Sequence, residues 1–182
     1  MTIEVGQKLP DATFKVLTAE GLVDVELKDI TTGRKVVIFA LPGAFTPTCN
    51  AKHMPGFVQR HDEILAKGVD EICAVVVNDP FVLDAWSKSQ NAEGKVRILS
   101  DGNGTFSRAV GLTFDGSMAG LGVRSRRYAM IVEDGTVEFL AVEDAPPMME
   151  VSGADSILEA LSRTAFTAVL NLILTGFPTI TL

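Results

Sequence analysis

Cys49 is the residue of this sequence whose type and surroundings point most directly to chemistry. It follows an apolar run from Val36 to Leu41 and precedes a stretch, Asn50 to Lys67, with the pattern of a helix. A cysteine between a central strand and the first turn of a helix faces unpaired backbone N–H groups and the positive end of the helix dipole. Both favour the thiolate over the thiol, so we expect Cys49 to be nucleophilic near neutral pH.

The loop before Cys49 argues against the alternative that this cysteine is only a small buried hydrophobe. Its sequence is Pro42-Gly43-Ala44-Phe45-Thr46-Pro47-Thr48-Cys49. The two prolines stiffen the turn, and the glycine lets the backbone approach another group closely. The two threonines bring hydroxyl groups near the sulfur. This combination favours a reactive thiol.

The composition limits the class of protein. With 182 residues, of which 47% are hydrophobic, the chain is long enough for one domain with a substantial core. A net charge of −7 disfavours nucleic acid and anionic membranes as partners. Two cysteines, Cys49 and Cys73, and an N-terminus without a basic, apolar leader predict a reducing, cytoplasmic location. Two histidines and no Cys-x-x-Cys offer no zinc ligand set, so we expect no metal or cofactor.

The elements that must position Cys49 alternate between strand and helix. Strands are predicted at residues 12–16, 22–27, 36–41, 69–77, 96–99, 127–132 and 136–142, and helices at 50–67, 81–90, 105–110 and 152–161. Pro55 is expected to kink or break the first helix, and residues 112–123 to form a loop. Alternation followed by a hairpin predicts an α/β fold with a mixed central sheet flanked by helices and an N-terminal β-hairpin. Cys49 then lies beyond the carboxyl end of a strand, where such sheets bind ligands.

The C-terminal residues form a segment of a different kind. We predict one domain over residues 1–162 and an apolar extension of unknown role over residues 163–182, which carries no charge after Arg163. Its threonines, Asn171, Gly176 and Pro178 make it too polar and too broken for a good membrane span. Docking onto the body of the protein or onto a partner chain is favoured, because such an apolar patch should not stay exposed.

The spacing Pro-x-x-x-Thr-x-x-Cys, with Gly-Ala-Phe between, resembles the active-site motif of the peroxiredoxins. Its fuller form continues into Lys52-His53 and Pro55-Gly56-Phe57 and is similar to plant type II peroxiredoxins and their bacterial, peroxiredoxin-five-like relatives. The resemblance covers residues 5–161 and includes the stretches 77–82, 85–86, 99–102 and 126–135. It implies a thioredoxin-like fold and an antioxidant enzyme of cell redox homeostasis.

The resemblance also implies a mechanism and its residues. Cys49 would attack hydrogen peroxide or a small organic hydroperoxide and become a sulfenic acid. The hydroxyl of Thr46 would bind the peroxide, and Pro42 would shield the sulfur from water. An arginine at the start of a neighbouring strand would hold the thiolate and the substrate oxygen. Arg127 matches this arginine because it directly precedes the aromatic residue that opens the strand.

Two further arginines and a histidine lie near these residues in the sequence. Strand alternation places Arg126 and Arg127 on opposite faces, so only one of them should point inward. We expect Arg124 and Arg126 to be solvated surface charges or charges at a dimer edge. His53 is expected to serve in packing or at an interface rather than as a catalytic base.

Cys73 marks a departure from the relatives, many of which carry a second cysteine at the position of Ala74. Because a shift of one residue along a strand turns the side chain to the opposite face, we predict that Cys73 is structural. The resulting prediction is a one-cysteine cycle, in which glutathione with glutaredoxin, or thioredoxin, reduces the oxidised Cys49. The resemblance further implies a homodimer.

Two other functions remain open at this point. A dithiol oxidoreductase of the thioredoxin type needs a pair of neighbouring cysteines, and the absence of Cys-x-x-Cys disfavours it. A redox sensor or holdase-like binding protein would use oxidation of Cys49 as a switch and the apolar tail as a contact surface. Turnover of peroxide with a thiol reductant separates a peroxidase from such a sensor.

Overall fold

A seven-stranded mixed sheet forms the centre of the protein, in the strand order β2-β1-β5-β4-β3-β8-β9. The computed structural model describes residues 1–175, and within them the side chains of 1–164, 166 and 167. The strands of the sheet are β1 (Thr13–Thr18), β2 (Gly21–Glu26), β3 (Lys35–Leu41), β4 (Glu71–Val76), β5 (Arg97–Ser100), β8 (Tyr128–Glu133) and β9 (Thr136–Val142). Strands β3, β4 and β5 are parallel, and the others join antiparallel. The predicted mixed sheet and N-terminal hairpin are confirmed.

Helices cover both faces of this sheet and divide the core into two clusters. The helices are α1 (Leu27–Thr31), α2 (Met54–Gln59), α3 (His61–Leu65), α4 (Pro80–Ser89), α5 (Thr105–Ala109) and α6 (Ala154–Thr175). Side chains from α2, α3, α4 and α6 pack on one face, and side chains from α1 and α5 pack on the other. Strands β3 and β4 are buried from both sides, which explains why they are apolar at nearly every position.

The segment after Cys49 differs in detail from the single predicted helix. It begins with a π-helical turn over Cys49–His53, in which the N–H of Met54 bonds to the carbonyl five residues back. Pro55 lies in the first turn of α2, where its missing N–H costs little. The predicted disruption near Pro55 is therefore a widened turn just before it, and a second break follows at Arg60, between α2 and α3.

Residues 112–123 were expected to form a loop, and this expectation is wrong in part. Strand β6 (Thr113–Asp115) pairs antiparallel with β7 (Val123–Ser125), and a 3-10 turn lies between them. The glycines that suggested a loop allow the chain to reverse direction between the two strands, since Gly120 and Gly122 have φ values of +71° and +65°. Strand β6 and the turn after it contribute residues to the site described below.

The last helix starts close to its predicted position and continues beyond its predicted end. Helix α6 begins at Ala154 and runs without a break past Leu161 and across the predicted domain limit after residue 162. No helix within residues 1–175 is long and apolar enough to cross a membrane. Residues 176–182 lie outside the described part of the chain, so the division into a domain and an extension stays a prediction.

Candidate active site

Cys49 is the first residue of the π-helical turn, just beyond the carboxyl end of β3, and its side chain is buried. The Sγ atom accepts a hydrogen bond of 3.4 Å from Nη2 of Arg127. A guanidinium carries its charge at any physiological pH, so the group that donates to this sulfur is a permanent cation. The sequence predicted both residues, and the structure brings them together.

Arg127 is held in place from several sides although it is almost completely buried. It directly precedes β8, and its backbone carbonyl accepts from the N–H of Glu143 at 2.9 Å. Its Nη2 also donates to the carbonyl of Pro146 at 2.9 Å, and its Nη1 contacts Nδ1 of His53 at 3.1 Å. These contacts fix both the position and the rotation of the guanidinium plane.

His53 lies inside the core rather than at an interface. Its ring is buried and sits 5.0 Å from the ring of Phe39 and 5.6 Å from that of Phe57, between centroids. Its Nε2 lies 2.9 Å from the carbonyl oxygen of Ser152. The expected packing role is confirmed, and the polar contacts at both nitrogens were not foreseen.

The two contacts of His53 define its protonation state. A carbonyl oxygen only accepts, so Nε2 carries the hydrogen and donates to Ser152, and Nδ1 accepts from Arg127. Burial and the positive charge of Arg127 lower the pKa of His53 from 6.5 to about 3, against the opposing effects of the Ser152 carbonyl and Glu143. The imidazole is therefore neutral at neutral pH.

A carboxylate supports the turn that holds His53. Oε1 of Glu143 accepts hydrogen bonds of 2.8 Å from the amides of Glu150, Val151 and Ser152 and from the hydroxyl of Ser152. Burial alone would raise the pKa of Glu143, but these hydrogen bonds together bring it below its usual range. The carboxylate fixes the turn whose Ser152 carbonyl receives the histidine N–H.

Internal hydrogen bonds shape the loop that precedes Cys49. The hydroxyl of Thr46 donates to the carbonyl of Gly43 at 2.8 Å, which leaves the oxygen lone pairs of Thr46 available to accept. The amide of Ala44 donates to Oδ1 of Asn78 at 2.9 Å. The hydroxyl of Thr48 donates to the carbonyl of Pro147 at 3.2 Å and ties the loop to the segment that also binds Arg127.

Arg124 braces the same loop, so the expectation that it is a solvated surface charge is wrong, and the alternative of a dimer-edge charge stays a prediction. Its Nη1 donates to the carbonyl of Pro42 at 3.2 Å, and its Nε donates to the carbonyl of Leu121 at 2.9 Å. Gly43 permits this approach, since a Cβ there would lie 2.6 Å from Nη1 of Arg124. Arg126 is also half-buried and donates to the backbone carbonyl of Glu143 at 2.7 Å, so it too is a structural residue.

A cavity of about 540 Å³ opens at this loop. Its wall is mostly apolar, and Arg127 supplies the buried cation. Pro42 and Thr46 line it together with Pro47, Thr48, Phe114, Asp115, Gly116, Met118, Ala119, Leu121, Pro146 and Pro147. The site residues predicted from the sequence therefore lie at or directly behind one pocket, and strand β6 with the turn that follows it forms part of the rim.

Cys73 lies on the other face of the sheet from Cys49. Ala74 belongs to the core cluster that contains Cys49, whereas Cys73 belongs to the cluster of Phe14, Ile38 and other apolar side chains. Burial, with the nearby carboxylate of Glu71, raises the pKa of the Cys73 thiol well above its ordinary value. The alternation argument from the sequence is confirmed, and Cys73 stays a neutral thiol.

The π-helical turn has a further support that the sequence did not reveal. Oδ1 of Asn50, the residue after Cys49, accepts from the indole N–H of Trp86 at 3.0 Å and from the side-chain amide of Gln90 at 2.8 Å. Helix α4 and the residue that caps its C-terminus thereby fix the turn. These partners lie 36 and 40 residues away in the chain, and no local pattern indicates them.

Comparison with known proteins places this geometry in a family. Residues 4–158 match the model of the Redoxin family. The chain is 49% identical over 165 residues to "Peroxiredoxin-2E-2, chloroplastic" of rice, an alignment that covers 88% of this chain and 73% of the relative. It is 44% identical over 160 residues to rice "Peroxiredoxin-2C", with 87% of this chain and 98% of the relative covered.

A solved structure agrees with these sequence relatives. Reduced Prx3 of Vibrio vulnificus in complex with H₂O₂ is 49% identical to this chain, with a TM-score of 0.84. The superposition covers 88% of this chain and 99% of the Vibrio chain. The described architecture is thus that of a protein crystallised with hydrogen peroxide.

Proposed function

This chain belongs to the peroxiredoxin family and is a thiol-dependent peroxidase, and we propose that Cys49 is its nucleophile, with Arg127, Thr46 and Pro42 completing the site. The observation that carries the proposal is the hydrogen bond of 3.4 Å from the Arg127 guanidinium to the buried sulfur of Cys49. A buried cysteine without such a cation is an inert hydrophobe, whereas one beside a fixed cation is a nucleophile.

The proposed chemical step balances without a cofactor. The Cys49 thiolate attacks the terminal oxygen of a hydroperoxide, a sulfur–oxygen bond forms and the oxygen–oxygen bond breaks. Two electrons pass from sulfur to the peroxide, and Cys49 becomes a sulfenic acid. The remaining oxygen leaves with the bonding electrons and takes a proton from solvent, which gives water or an alcohol.

Each side chain has a distinct part in this step. Negative charge moves from sulfur towards the leaving oxygen, so a guanidinium beside the path stabilises both the start and the transition state. Thr46 donates to Gly43 and can accept from the O–H of the hydroperoxide, which orients the oxygen under attack. Pro42 lines the pocket and exposes no N–H, so it limits the access of water to the sulfur.

The pocket suggests that the substrates include small organic hydroperoxides as well as hydrogen peroxide. Its volume of about 540 Å³ exceeds the need of hydrogen peroxide. Its wall is mainly apolar and includes Phe114, Met118 and Leu121, which suit an alkyl group next to the reacting oxygens.

We propose that turnover follows a one-cysteine cycle. The placement of Cys73 on the opposite face of the sheet supports this, because a disulfide needs Cα atoms within about 7 Å and side chains directed at each other. An external thiol must then reduce the sulfenic acid, either glutathione with glutaredoxin or thioredoxin. Such a reductant pool, together with two reduced cysteines, fits a cytoplasmic location.

The cycle can be tested with a variant that removes the second thiol and keeps its apolar character. Cys73→Ala and the wild type are compared for peroxide turnover with glutathione plus glutaredoxin and with thioredoxin, and for the adduct on Cys49 by mass spectrometry. Equal turnover and the same mixed disulfide on Cys49 are expected. Loss of turnover in Cys73→Ala, with an intact first reaction with peroxide, would overturn the one-cysteine cycle.

We also propose a homodimer. Phe45 projects from the loop before Cys49 with 55% of its surface exposed, and Phe81 at the start of α4 is 58% exposed. Large exposed apolar side chains, such as the one on the loop before Cys49, are typical of an interface. Light scattering of the wild type and of Phe45→Glu tests this, with a dimer expected for the first and a weakened dimer for the second.

A further inference from the structure

The neutral histidine behind Arg127 has a feature that packing alone does not require. Nη1 of Arg127 contacts one acceptor among the described residues, Nδ1 of His53, at 3.1 Å. The other guanidinium nitrogen, Nη2, serves the sulfur of Cys49 and the carbonyl of Pro146. Without the histidine, a buried N–H of Arg127 would have no partner there, and the carbonyl of Pro146 and the sulfur of Cys49, both on Nη2, would be left to set the orientation of the guanidinium.

The chemical type of this acceptor matters for the charge at the sulfur. An arginine buried in a protein is usually paired with a carboxylate, which neutralises much of its field. Here the partner is an imidazole whose Nε2–H is committed to the carbonyl of Ser152, so the ring accepts at Nδ1 and carries no charge. The full positive charge of Arg127 is thereby left for the thiolate and for the oxygen that leaves.

The nearby carboxylate is kept one step away from the guanidinium. Glu143 is buried in the same region, yet its Oε1 is occupied by three backbone amides and the hydroxyl of Ser152. The acid organises the turn that carries the Ser152 carbonyl, and this carbonyl sets the tautomer of His53. The carboxylate of Glu143 is therefore stabilised by these donors and forms no ion pair with Arg127 among the described contacts.

We propose that His53 is a positioning residue that, as an uncharged acceptor, orients the Arg127 guanidinium on the Cys49 sulfur and preserves its charge for the reaction. This proposal rests on the proposed function of Cys49, and the two fail in different ways. If Cys49 is not the nucleophile, Cys49→Ser keeps peroxidase activity. If only the role of His53 is wrong, Cys49→Ser is inactive, but the rates of the His53 variants described below do not follow the expected order.

Two substitutions by amide residues test the two nitrogens of the His53 ring separately. The oxygen of His53→Asn falls near the position of Nδ1 and can accept from Arg127, but the side chain does not reach Ser152. The amide of His53→Gln extends to the position of Nε2 and can donate to Ser152, but it leaves Arg127 without its acceptor. The rate of peroxide reduction is measured by competition with horseradish peroxidase between pH 5 and pH 9, with melting temperatures as the measure of folding.

The proposal predicts a clear order of rates. At pH 7 we expect the rate to fall by about threefold in His53→Asn and by about thirtyfold in His53→Gln, whose pH–rate profile also moves to higher pH by about one unit. The reverse order, or an equal loss in both variants, would show that the contact with Ser152 or the ring packing matters instead, and would overturn the proposal.

Two further variants test neutrality and guard against misfolding. His53→Asp has the shape of His53→Asn but adds a charge beside Arg127, and we expect it to be at least tenfold slower than His53→Asn. Equal rates in this pair would refute the claim that the acceptor must be uncharged. His53→Phe keeps an aromatic ring against Phe39 and Phe57 and removes both nitrogens. It should be as slow as His53→Gln, and wild-type rates in it would refute the proposal even if the amide variants fail to fold.

Discussion

The two cysteines lie on opposite faces of one sheet, and the two faces treat a buried thiol in opposite ways. Both side chains are fully buried. Cys49 shares its face with a chain of buried polar groups that runs from Glu143 through Ser152 and His53 to Arg127. Cys73 packs among apolar side chains, and burial raises the pKa of its thiol. Burial by itself therefore does not decide reactivity, and a fixed cation within reach of the sulfur does.

The largest expected contrast between the two faces comes from removing each thiol. Cys49→Ser should abolish peroxide consumption under dithiothreitol, and Cys73→Ala should stay within about twofold of the wild type, because burial raises the pKa of its thiol and keeps it neutral. The measurement is peroxide consumption, paired with alkylation of the native and the urea-unfolded protein. Labelling of Cys73 in the native state, or activity in Cys49→Ser, would break the comparison.

Removing the cation should make the Cys49 face resemble the Cys73 face. In Arg127→Leu we expect the rate with peroxide to fall by about 10²–10³-fold, in line with the loss of one strong electrostatic contact in a dry site. Arg127→Lys keeps a charge without the planar fork and should recover part of the rate. Competition kinetics at pH 7 measure both. A Leu variant within threefold of the wild type would contradict the role given to Arg127.

The support of the loop should matter less than the cation itself. Arg124→Ala frees the carbonyls of Pro42 and Leu121, and we expect a loss of about tenfold in rate, because a misplaced loop weakens orientation without removing charge. Gly43→Ala should act in the same direction, since its Cβ would displace the Arg124 guanidinium. Arg126→Ala serves as the matched control outside this loop. An equal loss in the control would indicate a general effect on folding.

The smallest expected effect is on the pH dependence of stability, and it arises from His53 on the face of the sheet that carries Cys49. Burial keeps His53 neutral in the folded protein down to about pH 3, whereas its unfolded pKa is 6.5. The unfolded chain therefore binds more protons below pH 6.5, and the stability that depends on the neutral ring is lost as the pH falls. Between pH 7 and pH 5.5 we expect a loss of about 1 kcal/mol in the wild type, from this residue.

The control for this loss is His53→Asn, which cannot titrate in that range. Urea unfolding at several pH values should show a flatter profile for His53→Asn than for the wild type, while Cys73→Ala should follow the wild type. Parallel profiles for the wild type and His53→Asn would mean that the acid sensitivity arises elsewhere.

Much of this arrangement could be predicted from local sequence. The apolar runs of β3 and β4 and the Asp134-Gly135 pair predicted the strands of the sheet and its tight hairpin. In the structure both residues of that pair have a positive φ, as such a hairpin requires. The loop before Cys49 indicated a reactive thiol, and the resemblance to the peroxiredoxins matched the arginine before Tyr128 to the cation at the sulfur. Alternation along β4 was enough to place Cys73 on the far side.

The rest depends on contacts between distant parts of the chain. Arg124 reads as a surface charge until the fold brings it to the carbonyl of Pro42, 82 residues earlier. The four hydrogen bonds to Glu143 need a turn whose shape no short pattern specifies. The π-helical segment is supported by Trp86 of α4 and by Gln90 at the end of that helix, and both donate to the side chain of Asn50. Local propensity cannot encode such tertiary partners.

The link between Trp86 and Asn50 has an optical consequence. The chain contains one tryptophan, its indole is fully buried, and its N–H bonds to Asn50, the residue next to the proposed nucleophile. Any change of the turn during oxidation or reduction of Cys49 alters the surroundings of this fluorophore. The emission of the unlabelled enzyme is then expected to follow each half of the catalytic cycle in real time, so that a stopped-flow trace reports the two steps separately.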